Sequence, residues 1–368
     1  MRIAIDARVL MNEKYSGVAW YAYHLLAALF ELDRKNDYVL FYNSRRAVKL
    51  PSFPYPNVSY RGYHYPNKLF NLTLNFFSWP KLDRLIGGCD VFFSPNLHFT
   101  AWSAGCRKAI AVHDLSFLVE RGWFNWKQQW WHRLILRKKI LEQADVIVAD
   151  SASTKNDLIE LLAVPAEKIK VVYLGVAPFA NNSDGGYEVR KKYDLPEKFF
   201  LFVGTIEPRK NLAGLINALD GLPADVVLAV AGDWGWKAKE ISNFQFPISK
   251  ERVKFIGYVS EEEKNALYRS AVALVYPSFY EGFGLPILEA MASGCPVIAG
   301  NNSSQGEVLG DSGLLVDPYN AAEIRQAMET VLSDGELRSQ FITAGLKRAQ
   351  AFTWQKTAEQ LLEIFEQI

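Results

Sequence analysis

Three short constellations in this sequence carry residue types able to do chemistry. The first is Tyr280-Glu-Gly-Phe-Gly-Leu-Pro-Ile-Leu-Glu289, in which Glu281 and Glu289 enclose Gly282, Phe283, Gly284, Leu285 and Pro286. The two glycines let backbone approach a ligand with no Cβ in the way. Pro286 suits the first turn of a helix, where its missing N–H does no harm. A helix start offers unpaired N–H groups and the positive end of a dipole, a seat for phosphate. Carboxylates beside such a seat would repel phosphate, so Glu281 and Glu289 are expected to accept hydrogen bonds from hydroxyls. The second constellation, Gly204-Thr-Ile-Glu-Pro-Arg-Lys-Asn211, sets Arg209 and Lys210 just beyond an apolar run. A guanidinium fork and an ammonium point charge both suit a diphosphate. The third is His113-Asp114, closing the run Ala109-Ile-Ala-Val112. The carboxyl end of a parallel strand is where open α/β sheets bind ligands, although a histidine hydrogen-bonded within a turn would read the same way.

These groups need elements to hold them. Apolar runs predict strands over 2–6, 38–42, 90–94, 109–114, 146–149 and 169–173, then over 199–203, 226–232, 253–259, 271–276, 296–299 and 313–317. Helical spacing predicts helices over 18–32, 151–162, 321–332, 334–349 and 354–368, and one opening near Leu285. Strand–helix alternation in two halves implies two doubly wound α/β domains, and 368 residues exceed what one core usually supports. The expected division is 1–175, a polar, breaker-rich linker at 176–186, and 187–352, with 353–368 returning to the first domain. Gly17 opens the first helix, where its N–H faces any phosphate. No GxGxxG is present, so the dinucleotide fingerprint is absent.

Composition is that of an ordinary globular protein, 49% apolar and 22% charged. No run approaches the roughly 18 apolar residues of a membrane span, and the start lacks a signal-peptide layout. Cys89, Cys106 and Cys295 form no CxxC pair, which fits a reducing cytoplasm. The net charge of +1 hides a split: residues 1–170 carry 23 basic against 15 acidic side chains, and the rest 18 against 25. The basic half contains Arg121-Gly-Trp-Phe-Asn-Trp-Lys-Gln-Gln-Trp-Trp-His-Arg133 and continues basic to Lys139. Aromatic and basic residues so interleaved over 121–140 fit the face of an anionic membrane, or a helix with one packed and one solvated side. Single-stranded nucleic acid could stack on such rings, but nothing else supports it.

The Glu-(seven residues)-Glu pattern around Gly-Phe-Gly-Leu-Pro closely resembles the retaining glycosyltransferases of family 4, as do His-Asp-Leu-Ser-Phe at 113–117 and Gly-Thr-Ile-Glu-Pro-Arg-Lys-Asn at 204–211. The likeness covers nearly the whole chain and is strongest over 199–317. It implies the GT-B arrangement, two Rossmann-like domains facing across a cleft, and transfer of a sugar from a nucleotide sugar with retention. By that resemblance Glu289 grips the ribose, Glu281 and His113 position the transferred sugar, and Lys210 with Arg209 holds the diphosphate. Gly17 and the Gly282–Leu285 backbone join in holding it, and Gly257, Tyr258 and Val259 read the base. The family's usual Arg soon after Gly204 is Thr205 here, a departure that leaves Arg209 as the candidate substitute. No metal ligands and no cofactor are expected, only a donor co-substrate. The wording resembles bacterial mannosyl- or related hexosyltransferases of surface polysaccharide and lipopolysaccharide synthesis, so GDP-mannose is the expected donor, with a UDP-sugar as the alternative. A glycan or lipid-linked glycan would be the acceptor, used in the cytoplasm or at the inner face of the membrane. The alternatives of other kinds are a sugar-nucleotide epimerase and a non-catalytic sugar- or lipid-binding partner of the same fold.

Overall fold

The structure is a computed structural model that describes residues 1–11, 15, 17–136, 138–177, 185–237 and 250–368. The chain divides into two compact units. One comprises Met1–Leu118, Trp126–Gly175 and Thr353–Ile368, the other Val119–Asn125 and Val176–Phe352. The expected linker, 176–186, falls largely outside the described residues. Its last two positions, Gly185 and Gly186, instead open a helix, Gly185–Lys192.

The first unit is a seven-stranded parallel sheet in the order β3-β2-β1-β4-β5-β6-β7. Its strands are β1 (Arg2–Asp6), β2 (Asp37–Asn43), β3 (Val58–Tyr63), β4 (Val91–Ser94), β5 (Arg107–Val112), β6 (Val146–Ala149) and β7 (Ile169–Val171). Sequence periodicity passed over β3, whose residues are mostly exposed on an edge, so no apolar run marks it. The other unit is a six-stranded parallel sheet in the order β10-β9-β8-β11-β12-β13. These are β8 (Phe199–Val203), β9 (Val227–Ala231), β10 (Val253–Gly257), β11 (Ala273–Tyr276), β12 (Val297–Gly300) and β13 (Leu314–Val316). Every residue of β8, β9, β11 and β12 is buried, as helix cover on both faces of a parallel sheet requires. In each sheet the strand order turns back between two central strands, β1 and β4 in one, β8 and β11 in the other. Crevices open outside the carboxyl ends at such switch points.

The aromatic-basic stretch is not one continuous helix. A short 3-10 turn at Arg121–Trp123 precedes a helix over Trp126–Ile135, and a second helix begins at Lys138. The last helix, Trp354–Gln367, is capped by Thr353, whose side chain accepts from the Lys356 N–H. It packs on the first helix, Gly17–Leu32: the Trp354 ring stacks on His24 at 5.5 Å, while Phe365 meets Phe93 of β4 at 5.4 Å. Thr357 Oγ1 donates to the Tyr173 carbonyl at 2.8 Å. Where the helix starts, Gly175 lies so close that a Cβ there would stand 2.1 Å from the Trp354 nitrogen. Backbone cannot yield as a side-chain tip can. Gly175→Ala is therefore expected to destabilise the first unit by about 2–3 kcal/mol, read as a lower midpoint in urea unfolding, whereas Gly17→Ala, which meets open space, should change it little.

Candidate active site

Charge organises the carboxyl edge of the second sheet. The chain leaves β8 through Gly204 and reaches a 3-10 turn, Pro208–Lys210. It leaves β11 through Ser278 and reaches Glu281. These two strands flank the switch point, so the two loops meet. Arg209 Nη1 lies 3.0 Å from Glu281 Oε2, and Lys210 Nζ lies 2.7 Å from Glu281 Oε1. Arg209 also pairs with Glu207 at 2.8 Å and donates to the Tyr280 carbonyl at 2.7 Å. Lys210 donates to the Tyr276 hydroxyl and sits 4.8 Å from that ring's centre. The four charged side chains are 2–12% exposed, so little water screens them. Burial would raise the carboxyl pKa of Glu281, but the Arg209 and Lys210 charges outweigh it and hold it down to about 2. Burial pushes Lys210 down, and Glu281 offsets only part of that. Burial likewise pushes Glu207 up.

Sequence reading assigned the cations to a diphosphate and Glu281 to a sugar. The structure joins them in one network and adds two members that reading missed, Glu207 and Tyr276. Glu207 stands inside the quoted loop motif, so its position was visible but not its ion pair. Arg209, the candidate substitute for the Arg absent at Thr205, is built into the network beside Lys210.

After Glu281 the chain passes Gly282 and Phe283 to Gly284, whose φ of 102° is open to glycine and strained for other residues. Gly284 starts the helix Leu285–Ala292 with no side-chain cap, so its first N–H groups are not taken by a capping side chain. The loop is pinned from the next crossover. Ser304 Oγ donates to the carbonyls of Glu281 and Phe283, both at 2.9 Å, Ser303 Oγ accepts from the Glu281 N–H, and Asn302 donates to the Phe279 carbonyl. Ser303 itself sits at φ 50°, a conformation that costs about 1–3 kcal/mol and clusters at functional sites.

Glu289 lies one turn inside that helix. Lys264 Nζ reaches its Oε1 at 2.9 Å and the Tyr268 hydroxyl its Oε2 at 3.0 Å. A carboxylate has about four lone-pair sites, so each oxygen can accept again from a ribose hydroxyl. Lys264 and Tyr268, on the helix Glu261–Ser270, drew no notice in the sequence because helical spacing gave them no distinctive pattern. Gly257 ends β10 at φ 73°, with Tyr258 exposed and Val259 buried beside it. Gly204 and Gly232 end β8 and β9 in the same positive-φ region, at 146° and 143°. A glycine thus closes three neighbouring strands, and a Cβ on Gly232 would lie 2.1 Å from the Gly204 carbonyl oxygen. The recurring apolar-run-then-Gly was the available signal for the two that sequence reading left unassigned.

Gly17 and His113 belong to the first unit. His113 follows β5, with Nδ1 2.7 Å from Asp150 Oδ2 and Nε2 2.9 Å from the Pro95 carbonyl. A carbonyl only accepts, so Nε2 carries a proton, and with Asp150 ionised Nδ1 carries one too. Burial would lower the His113 pKa, but the Asp150 charge and hydrogen bond outweigh it and raise it. Burial raises Asp150 in turn, and His113 partly offsets that. Both nitrogens are committed, so the ring is held in a fixed orientation. Among the described residues no group of three or more His, Cys, Asp or Glu side chains could hold a metal ion.

Two Rossmann-like parallel sheets, one in each unit, place the chain in the GT-B fold class. The chain belongs to glycosyltransferase family 4: the model "Glycosyltransferase Family 4" matches residues 15–178 and "Glycosyl transferases group 1" matches 187–348. Over 234 residues it is 34% identical to O-antigen chain mannosyltransferase B of Escherichia coli, 61% of each chain. It is 29% identical to the serotype-specific mannosyltransferase WbdA of the same species, over 62% of this chain but only 29% of that one. The match thus spans under two thirds of either relative. Sucrose-phosphate synthase from Thermosynechococcus elongatus shares the fold across 100% of this chain and 98% of its own, with a TM-score of 0.77 at 22% identity.

The Glu281 network makes a pH signature. A carboxyl held to about 2 in the folded state, against roughly 4.3 unfolded, contributes stability that is present above the unfolded value and lost as pH falls through the folded one. About 3 kcal/mol should disappear between roughly pH 4.5 and pH 2. Urea unfolding across that window should show the loss in wild type and a flatter profile in Glu281→Gln. Equal slopes would mean that Glu281 is not held by the two cations.

Proposed function

We propose that this protein is a retaining hexosyltransferase that moves mannose from GDP-mannose to a glycan or lipid-linked glycan acceptor. The observation that carries the reading is the buried Arg209–Glu281–Lys210 network beside the uncapped start of Leu285–Ala292. Sugar transfer from a nucleotide sugar develops positive charge on the ring and negative charge on the leaving diphosphate, by analogy with glycoside hydrolysis. Arg209, Lys210 and the helix N–H groups are oriented before the substrate arrives, which is what electrostatic stabilisation of a leaving group needs. On this reading the diphosphate draws the cations from Glu281, and the carboxylate turns to the hydroxyls of the sugar. Glu289 takes the ribose, His113 walls the sugar, and the glycine-lined edge at Gly257–Val259 takes the base. Because chain cations meet the leaving charge, transfer should survive a chelator. The names of the O-antigen relatives support mannose over other hexoses.

The reading includes contact with an anionic lipid surface, where a lipid-linked acceptor would lie. Trp126 and Trp130 are exposed one turn apart on the Trp126–Ile135 helix, with the Lys127 ammonium 5.6 Å from the Trp126 ring. Trp123 and Phe124 do not share that exposure: their rings stack on Phe279 at 6.2 Å and on Trp236 at 5.6 Å. A second face is more apolar. Along Asn67–Phe77 and just beyond it, Leu69, Leu72, Phe76, Phe77 and Trp79 are all exposed, a patch of the kind that marks interaction surfaces. Among the described residues no helix is long and apolar enough to cross a membrane.

GDP-mannose at a hundred times its dissociation constant should stabilise the protein by about 2.7 kcal/mol with chelator present. Glu289→Ala should weaken nucleotide binding, and Glu281→Ala should reduce transfer far more than binding. Stabilisation by UDP-sugars alone would overturn the choice of donor, and no response to any nucleotide sugar would overturn the enzyme reading. In vesicle co-sedimentation, Phe76→Ser with Phe77→Ser should reduce binding to anionic vesicles several-fold. Unchanged sedimentation would remove that face from the reading.

A further inference from the structure

Two of the three cysteines meet at the edge of the first sheet that the candidate site does not use. Cys89 stands two residues before β4 and Cys106 one residue before β5, at the amino ends of strands whose carboxyl ends lead to Pro95 and His113. Their sulfurs are 3.2 Å apart. We propose that Cys89 and Cys106 form a dithiol modification site, which closes to a disulfide by exchange with a small disulfide such as oxidised glutathione and reopens in excess thiol.

Two cysteines can be bridged only where their side chains converge and the backbone need not move. The sulfur contact meets the first condition. Going from 3.2 Å to the roughly 2.04 Å of a disulfide takes about 1.2 Å of approach, within reach of side-chain torsions. The second condition rests on backbone that is held on both sides. Before Cys89, the Gly87 N–H donates to the Arg84 carbonyl at 3.0 Å and the Gly88 N–H to the Asp83 carbonyl at 2.8 Å. The Arg2 guanidinium donates to the carbonyls of Ile86 and Gly87. Asp90 accepts from the Arg2 N–H through its side chain at 2.7 Å and from the Arg107 N–H through its carbonyl at 2.9 Å. That last bond ties together the residues that follow the two cysteines. Before Cys106, Asp83 accepts from the Ser103 N–H at 2.8 Å and from its hydroxyl. Each sulfur therefore meets the other at a high effective concentration.

The two thiols are unequal. Cys106 is buried, whereas Cys89 is part exposed and open to a reagent, so Cys89 attacks first. It loses its proton, its sulfur bonds to one sulfur of the external disulfide, and the other sulfur leaves as a thiolate. Cys106 then loses its proton and attacks Cys89 Sγ, which releases the second small thiol. Two electrons pass from the cysteine sulfurs to the external disulfide, and one disulfide with two thiols stands on each side of the exchange. The hydrogen bond to Cys106 and burial both push the Cys89 thiol up. Closure is therefore slow at neutral pH and speeds up about tenfold per pH unit, because only the thiolate attacks. Disulfides of reducing compartments are mostly transient and redox-sensing, and a pair that opens and closes with the thiol pool behaves in that way. The two cysteines are 17 positions apart, so the bridge removes conformations from the unfolded chain. Its effect falls on the stability of the first unit. Cys295, buried in the second unit, is the internal control.

The test incubates the full chain in glutathione buffers from fully reduced to fully oxidised, quenches with acid, alkylates the remaining thiols after denaturation and maps the peptides by mass. Oxidised buffer should link Cys89 to Cys106 and leave Cys295 alkylated, and dithiothreitol should reverse the link. The linked protein should unfold about 5–10 °C above the open one. Cys106→Ser should stop at a glutathione adduct on Cys89, whereas Cys89→Ser should leave Cys106 unmodified. Absence of the linked peptide from native protein, in an oxidised buffer that links the same cysteines once urea has unfolded the chain, overturns the proposal. Equal unfolding temperatures for linked and open protein overturn the stabilising effect, and an adduct on Cys106 in Cys89→Ser overturns the order of attack.

Discussion

The carboxyl edge of the second sheet depends on a balance of four buried charges. Arg209 and Lys210 come from the loop after β8, Glu281 from the loop after β11, and Glu207 stands beside the cations to complete a neutral set. A buried ion pair is weak evidence for stability, because desolvation consumes most of the Coulomb gain. Its value here lies in placement. Two cations that would otherwise repel one another are held side by side, each oriented by a carboxylate. The cost of that arrangement is carried by the surrounding core, where β8, β9, β11 and β12 are buried along their whole length.

Backbone geometry reinforces the same edge. Gly204, Gly232 and Gly257 close three adjacent strands at positive φ, so those three positions carry no Cβ. Gly284 does the equivalent at the helix start. Asn302, Ser303 and Ser304 hold the Glu281 loop through side chain-to-backbone bonds, with Gln305 donating to the Ser278 carbonyl at 2.8 Å. The loop is thus held largely through side chain-to-backbone bonds, which fix the positions of its amides and carboxylates.

In the first unit the corresponding logic uses one pair. His113 is fixed at both nitrogens by Asp150 and Pro95, with the Tyr21 ring edge-on at 4.7 Å. That fixes the ring plane. The adjoining Asp114 is oriented separately by Ser116, so two consecutive residues face their surroundings with independent supports. The return of Trp354–Gln367 onto Gly17–Leu32 completes the hydrophobic cover of this sheet.

By itself the sequence determined the parallel-strand architecture, because continuous apolar runs separated by helical spacing have few other ways to be buried. It also marked candidate positions for chemistry, since Gly, Pro, Glu, Arg and Lys stand in local patterns whose spacing survives folding unchanged. Those patterns singled out Glu281, Glu289, Arg209, Lys210 and His113 as candidates. Tertiary structure alone decided their partners. Tyr276 in the cation network, Lys264 and Tyr268 on Glu289, and Asp150 on His113 are contributed from other strands, loops and helices, and no local spacing encodes contacts made across a sheet. The same holds for the broken helix over 121–143 and for Gly175. The first yields its aromatic rings to several different environments. The second is required by a backbone that returns 179 residues later, at Trp354, a distance over which only the folded chain brings the two together.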